Sequence, residues 1–117
     1  VGHIIDVSST FRDITGAKYP KEILGNKTKP PLGKSLLPIF KGEEREPHKE
    51  IYWHFSRANA VRQGDLKVVR AGKAWELYDL KADPTETNNL AKERPEKTAE
   101  LAKMWEDWRE DYKNKPN

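Results

Sequence analysis

Between residues 51 and 80 the sequence is cut into short runs by turn-forming residues, and this most constrains what the chain can fold into. In Ile51-Tyr52-Trp53-His54-Phe55, alternation puts Ile51, Trp53 and Phe55 on one face of a strand and Tyr52 and His54 on the other. Residues 59–63 form a second strand, and Gly64-Asp65 then has the chemistry of a tight hairpin, since glycine takes the positive φ such turns need. Residues 66–70 make a third strand, Ala71-Gly72-Lys73 a second hairpin loop, and residues 74–80 a fourth strand. Strands joined by loops this short can only pair as an antiparallel meander.

A sheet of this kind needs an apolar cover. Pro95 suits the first turn of a helix, and Leu101, Met104, Trp105, Trp108 and Tyr112 then recur at three- and four-residue steps as one stripe. The sheet face carrying Trp53, Phe55, Trp75 and Leu77 is its expected partner. At the other end, Ile4, Val7, Phe11 and Ile14 have helical spacing, with Ser8, Ser9, Arg12 and Asp13 on the expected wet side and Gly16 as the stop. Pro20, Pro30, Pro31 and Pro47 forbid long regular structure between these parts. Only residues 35–40 form a short apolar turn there, broken by Pro38 and closed by Gly42. The expected fold class is therefore α+β, a four-stranded antiparallel sheet packed against a C-terminal helix, with a short N-terminal helix. Its bounds are a helix over 1–16, loops with a short apolar turn over 17–50, the meander over 51–80 and a helix over 95–114.

At 117 residues the chain is one small domain, long enough to hide roughly 60–70% of its unfolded surface. Charged residues are 35% of it, offset by four Trp, four Tyr and three Phe. The formal charge of +3 arises from interspersed signs. The densest basic stretch, 18–34, reads as a solvated loop and not as a phosphate-binding patch, which argues against nucleic acid as a partner. No run approaches the roughly 20 apolar residues that cross a bilayer, so no membrane partner is expected. The opening on Val1 without Met suits a piece excised from a longer protein.

The usual catalytic patterns are missing. His3, His48 and His54 have no second ligand at metal-binding spacing, so no metal site is expected. Neither Ser35 nor Ser56 sits in a Gly-x-Ser-x-Gly elbow. Glu43-Glu44 and Asp83/Glu86 read as solvated loop charges, and Arg62, Lys67 and Glu76 as cross-strand ion pairs. Trp75, Trp105 and Trp108 read as core.

Five strings in order nevertheless carry a resemblance. They are Ile4-Ile5-Asp6-Val7 through Thr10 to Gly16, Gly33-Lys34-Ser35-Leu36-Leu37-Pro38, Ala60-Val61-Arg62, Trp75-Glu76-Leu77-Tyr78-Asp79-Leu80, and Asp83-Pro84-Thr85-Glu86-Thr87-Asn88-Asn89-Leu90. Together they resemble the C-terminal subdomain of the sulfatases, with Ser9 standing where that family often has Pro. The resemblance implies a parent enzyme that hydrolyses sulfate esters with a formylglycine nucleophile and Ca²⁺, both held in a large N-terminal catalytic domain. This chain has no cysteine, and none of Ser8, Ser9, Ser35 or Ser56 opens the required Cys/Ser-x-Pro/Ala-x-Arg motif. The isolated chain is accordingly expected to be inactive and to hold no cofactor or metal.

The resemblance further implies that the N-terminal catalytic domain is the partner, that a sulfated small molecule or glycan is met through the parent, and that the parent works outside the cytoplasm (periplasmic, secreted or lysosomal). Within this chain His54, Arg57 and Asn59 are the expected substrate-binding residues. The strand arithmetic puts His54 and Tyr52 opposite the face that receives the last helix, where Arg57 could pair with a sulfate or carboxylate. The rival readings are a stand-alone anion- or glycan-binding module using exposed Trp and Lys/Arg, a nucleic-acid-binding domain, and a piece with a packing role alone.

Overall fold

The computed structural model describes residues 1–114. They divide after His48 into two units, one beginning at Val1 and the other at Lys49.

In the first unit, helix α1 (Ile5–Thr15) ends at Gly16, whose φ of 71° is the left-handed stop the sequence calls for. A miniature hairpin follows, β1 (Glu22–Ile23) paired with β2 (Asn26–Lys27), inside the stretch expected to be loop throughout. The short apolar turn is helix α2 (Leu37–Phe40), with Pro38 in its first turn.

The orientation of α1 inverts the sequence expectation. Its buried residues are Asp6, Ser9 and Thr10, while Ile4, Val7, Phe11 and Ile14 lie on the surface. The reason is a set of polar bonds from the helix to the strip 33–36. Ser9 Oγ donates to Gly33 O at 2.8 Å, Thr10 Oγ1 accepts from Leu36 N at 2.9 Å, and the Asp6 carboxylate accepts from Lys34 N at 2.8 Å. Burial would favour protonating Asp6, yet the Lys34 and His3 N–H groups and His48 hold its pKa down at about 2. Arg12, expected in solvent, donates to Ser9 Oγ at 2.8 Å and lies over the Tyr19 ring. Gly33 permits the approach, because a Cβ there would stand 2.0 Å from Ile5 O.

The second unit is the expected meander: β3 (Glu50–Phe55), β4 (Ala58–Gln63), β5 (Leu66–Arg70) and β6 (Glu76–Asp79), hydrogen-bonded in that order and antiparallel throughout. Gly64 takes φ 60° in the turn that pairs Gln63 with Leu66. Helix α3 (Pro95–Asn114) covers one face, with Leu101 and Trp105 packed on Val61, Val68 and Leu77.

The covered face differs from the expected one on β3. Tyr52 lies opposite Val61, which lies opposite Val68, which lies opposite Leu77. This row, with Tyr52 stacked on Trp108 at 5.0 Å, meets the helix, as does Trp75. Trp53 and Phe55 point the other way, and Phe55 is exposed. Charge explains the choice: the alternative face carries the row Ile51–Arg62–Lys67–Tyr78, with two adjacent cations that an apolar helix cannot cover. Burial also raises the Tyr52 pKa, with Glu50 and Asp107 adding to it.

Cross-strand ion pairs do not form among Arg62, Lys67 and Glu76. Arg62 and Lys67 face each other as like charges. Lys67 Nζ reaches Glu86 at 2.6 Å instead, Arg62 Nε donates to Gly64 O, and Glu76 accepts the Tyr78 hydroxyl proton.

The acidic, Asn-rich motif after β6 closes the sheet edge. Leu77 N donates to Asn89 Oδ1 at 3.1 Å, and Leu90 N donates to Leu77 O at 2.8 Å. The β6 backbone is thus satisfied at this point on its open side, which blunts an otherwise adhesive edge. Asp83 holds the turn by accepting from Thr87 N and Asn88 N, both at 2.8 Å. Among the described residues no helix is long and apolar enough to cross a membrane.

Candidate functional site

The end of the β3–β4 hairpin gathers the polar groups of the second unit. Phe55 pairs with Ala58, leaving Ser56 and Arg57 as a two-residue connection. Ser56 takes φ 54°, a left-handed conformation that costs a non-glycine residue on the order of 1 kcal/mol. The same register sets His54 opposite Asn59, and β4–β5 pairing sets Asn59 opposite Arg70. His54, Asn59 and Arg70 therefore form one transverse row.

The Asn59 amide, buried between its neighbours, satisfies both in one orientation. Nδ2 donates to His54 Nδ1 at 2.9 Å and to Ala58 O at 3.1 Å, while Oδ1 accepts from Arg70 Nη2 at 3.3 Å. With Nδ1 accepting, the neutral imidazole carries its proton on Nε2. The His54 ring lies 5.8 Å from Trp105, and the Arg70 guanidinium sits 4.5 Å over Trp75 and 5.6 Å from Trp105. Among the described residues no carboxylate comes within ion-pair distance of Arg70. Among the described residues nothing accepts from the buried Trp75 Nε1. The row is rich in donors and poor in acceptors, the balance an anionic or polyhydroxyl ligand would complement.

His54 and Asn59 are thus joined by a direct bond, on the helix-covered side of the sheet, whereas the strand arithmetic puts His54 opposite it; His54 itself stays exposed. Arg57 is exposed at the hairpin tip. Arg70 was absent from the sequence expectation, although the hairpin at Gly64-Asp65 fixes it: pairing Gln63 with Leu66 sets Asn59 against Arg70. The Trp residues do not form an open sugar-stacking surface, since Trp105 is only 5% exposed and Trp75 and Trp108 pack on the core.

A second polar cluster lies in the first unit. His48 Nε2 is 2.7 Å from Asp6 Oδ1, and Arg45 Nη2 is 3.2 Å from Asp6 Oδ2, with all three side chains buried. No spacing rule reaches across the 42 positions between Asp6 and His48. Every strong acceptor site of Asp6 is already taken, so the cluster is a structural hub. Among the described residues no group of three or more His, Cys, Asp or Glu side chains could hold a metal ion.

Comparison with known proteins agrees with the order of the motifs. Residues 2–114 match the family described as N-sulphoglucosamine sulphohydrolase, C-terminal. An N-acetylglucosamine-6-O-sulfatase of Bacteroides thetaiotaomicron is 30% identical over 127 aligned residues, covering 94% of this chain and 21% of that protein. A sulfatase of Formosa agariphila is 30% identical over 118 aligned residues, covering 86% and 21%. A solved structure of a protein in complex with its substrate, D-glucosamine-2-N,6-O-disulfate, superposes with a TM-score of 0.66 at 31% identity, over 95% of this chain and 24% of that one. The chain spans about a fifth of the length of the curated relatives it matches. By motif order, fold and near-complete coverage by the family match, this chain belongs to the sulfatase family, as a C-terminal domain.

Proposed function

We propose that this chain is the C-terminal part of an enzyme that hydrolyses sulfate esters, and that it forms one wall of that enzyme's substrate pocket through His54, Arg57, Asn59 and Arg70. The observation that carries the pocket assignment is the His54–Asn59–Arg70 row, which is bonded internally yet leaves the Arg70 cation without a carboxylate partner among the described residues. A sulfated amino sugar is the ligand class that fits, in keeping with the substrates named for the relatives. His54 Nε2–H and Arg57 would bond sugar hydroxyls or a sulfate oxygen, while Asn59 and Arg70 fix the His54 ring.

The residues here do not fit the formylglycine and Ca²⁺ that the resemblance implies. No cysteine is present, and the described carboxylates and imidazoles are not grouped for a metal. Those groups, and the reaction they run, are assigned to the large N-terminal domain of the longer protein, the partner of this chain. By the same resemblance that protein is proposed to work outside the cytoplasm.

Kinetics on the longer enzyme test the pocket. Each hydrogen bond to a charged sulfate is worth about 1.5–3 kcal/mol, so His54→Ala and Arg57→Ala are each expected to lower kcat/KM for a sulfated glucosamine on the order of 10- to 100-fold, mainly through KM. Arg70→Lys keeps the charge but loses the fork of donors, and is expected to give a smaller loss with the same KM character. Unchanged kcat/KM in all three variants, with unfolding midpoints at the parent value, would remove these residues from the pocket.

A further inference from the structure

The first unit buries no apolar side chain. Among its described residues only Asp6, Ser9 and Thr10 are buried as whole residues, joined by the polar side chains of Arg45 and His48, and every apolar residue of the core belongs to the second unit. Meanwhile Ile4, Phe11 and Ile14 are 77%, 64% and 56% exposed, and with Val7 they line one side of α1. A segment of this size has too little surface to hide to stabilise itself, and this one hides polar groups only. Rotating α1 to cover the stripe would break the Asp6, Ser9 and Thr10 bonds to residues 33–36. The stripe is therefore presented outward by a fixed polar clamp.

We infer that this stripe is the docking face for the large domain of the same polypeptide, which supplies an uncharged apolar groove for Ile4, Val7, Phe11 and Ile14. The inference rests on reading the chain as part of a longer sulfatase and adds which surface joins the two. The relatives hold about four-fifths of their length outside the matched region, ample to build such a groove. A second copy of this chain fits less well. An 11-residue helix is about 16 Å long, and one side of it falls short of the roughly 800 Å² per partner that stable free association uses. A tethered partner needs no such area, because its effective concentration is high. Under this arrangement the first unit is ordered by the large domain, while the second carries its own core.

Hydrogen exchange on the unmodified proteins tests the inference. Amides of residues 5–15 are expected to exchange at least about tenfold more slowly in the longer protein than in the 117-residue chain, while those of 58–70 exchange alike in both. Phe11→Asp in the longer protein is expected to abolish that protection. Equal exchange of 5–15 in the two proteins overturns the docking face. So does concentration-dependent protection of 5–15 in the chain alone with a doubled mass by light scattering, which would make a second copy the occupant. Protection of 5–15 without hydrolysis of any sulfate ester leaves the docking face standing and removes the sulfatase reading. Hydrolysis without protection does the reverse.

Discussion

Trp105→Ala is expected to lower the unfolding free energy of the second unit by about 3–5 kcal/mol. Trp105 is where the sheet, the helix and the aromatic cluster meet. Its ring lies 5.8 Å from Trp75, 6.2 Å from Trp108 and 5.8 Å from His54, and it packs with Leu101 on Val61, Val68 and Leu77. Its Nε1 also donates to Trp53 O at 2.9 Å, tying the middle of α3 to the β3 backbone. Alanine removes the packing and leaves that carbonyl without its donor, whereas Trp105→Phe keeps most of the apolar area and loses the bond, at about 1–3 kcal/mol. Urea unfolding followed by far-ultraviolet circular dichroism reads both. A loss under about 1 kcal/mol for Trp105→Ala would mean that α3 is not held to the sheet through this residue.

Asp6→Asn is the second large effect, and it falls on the first unit. The variant leaves the buried Arg45 guanidinium without its counter-ion and turns an amide N–H toward groups that are themselves donors. Breaking a buried pair from one side costs about 3–5 kcal/mol, enough to free α1 from residues 33–36. In the longer protein, limited proteolysis is expected to cut within residues 17–48 of the variant much faster than of the unmodified form, while the 50–79 sheet stays intact. Acid should imitate the substitution. The folded pKa of Asp6, about 2, lies below its ordinary 3.8, so its contribution is fully present above about pH 4 and fades as pH falls toward 2. That contribution is on the order of 2 kcal/mol. Asp83 is lowered too, chiefly by the Asn88 N–H, so acid also weakens the turn after β6. Cleavage of Asp6→Asn at the parent rate would show that the clamp does not hold α1.

How far the sequence could be read depended on the range of the interactions. The strands and α3 were legible because alternation, turn chemistry and a 3.6-residue stripe are local. The face of β3 was not, because Ile51, Trp53 and Phe55 alternate with Tyr52 and His54, so both sides look apolar or aromatic. Only the register decides it, and the row through Arg62 and Lys67 excludes one answer. The pattern on α1 correctly grouped Ile4, Val7, Phe11 and Ile14, but grouping says nothing about what covers them. The bonds that fix the helix come from Lys34, Leu36, Arg45 and His48, all more than 25 positions from their partners. His54 and Asn59 were readable as neighbours across one hairpin, whereas Arg70 required carrying the register through a second.

The most direct measurement is release of inorganic sulfate from a 6-O-sulfated glucosamine by three preparations: the longer protein, the same protein lacking this region, and the 117-residue chain alone. The longer protein is expected to turn over, the chain alone to give no sulfate above the blank, and the shortened protein to lose most of its rate. Sulfate release by the chain alone, or an undiminished rate without it, would contradict a division in which the chemistry lies elsewhere and this domain completes the site.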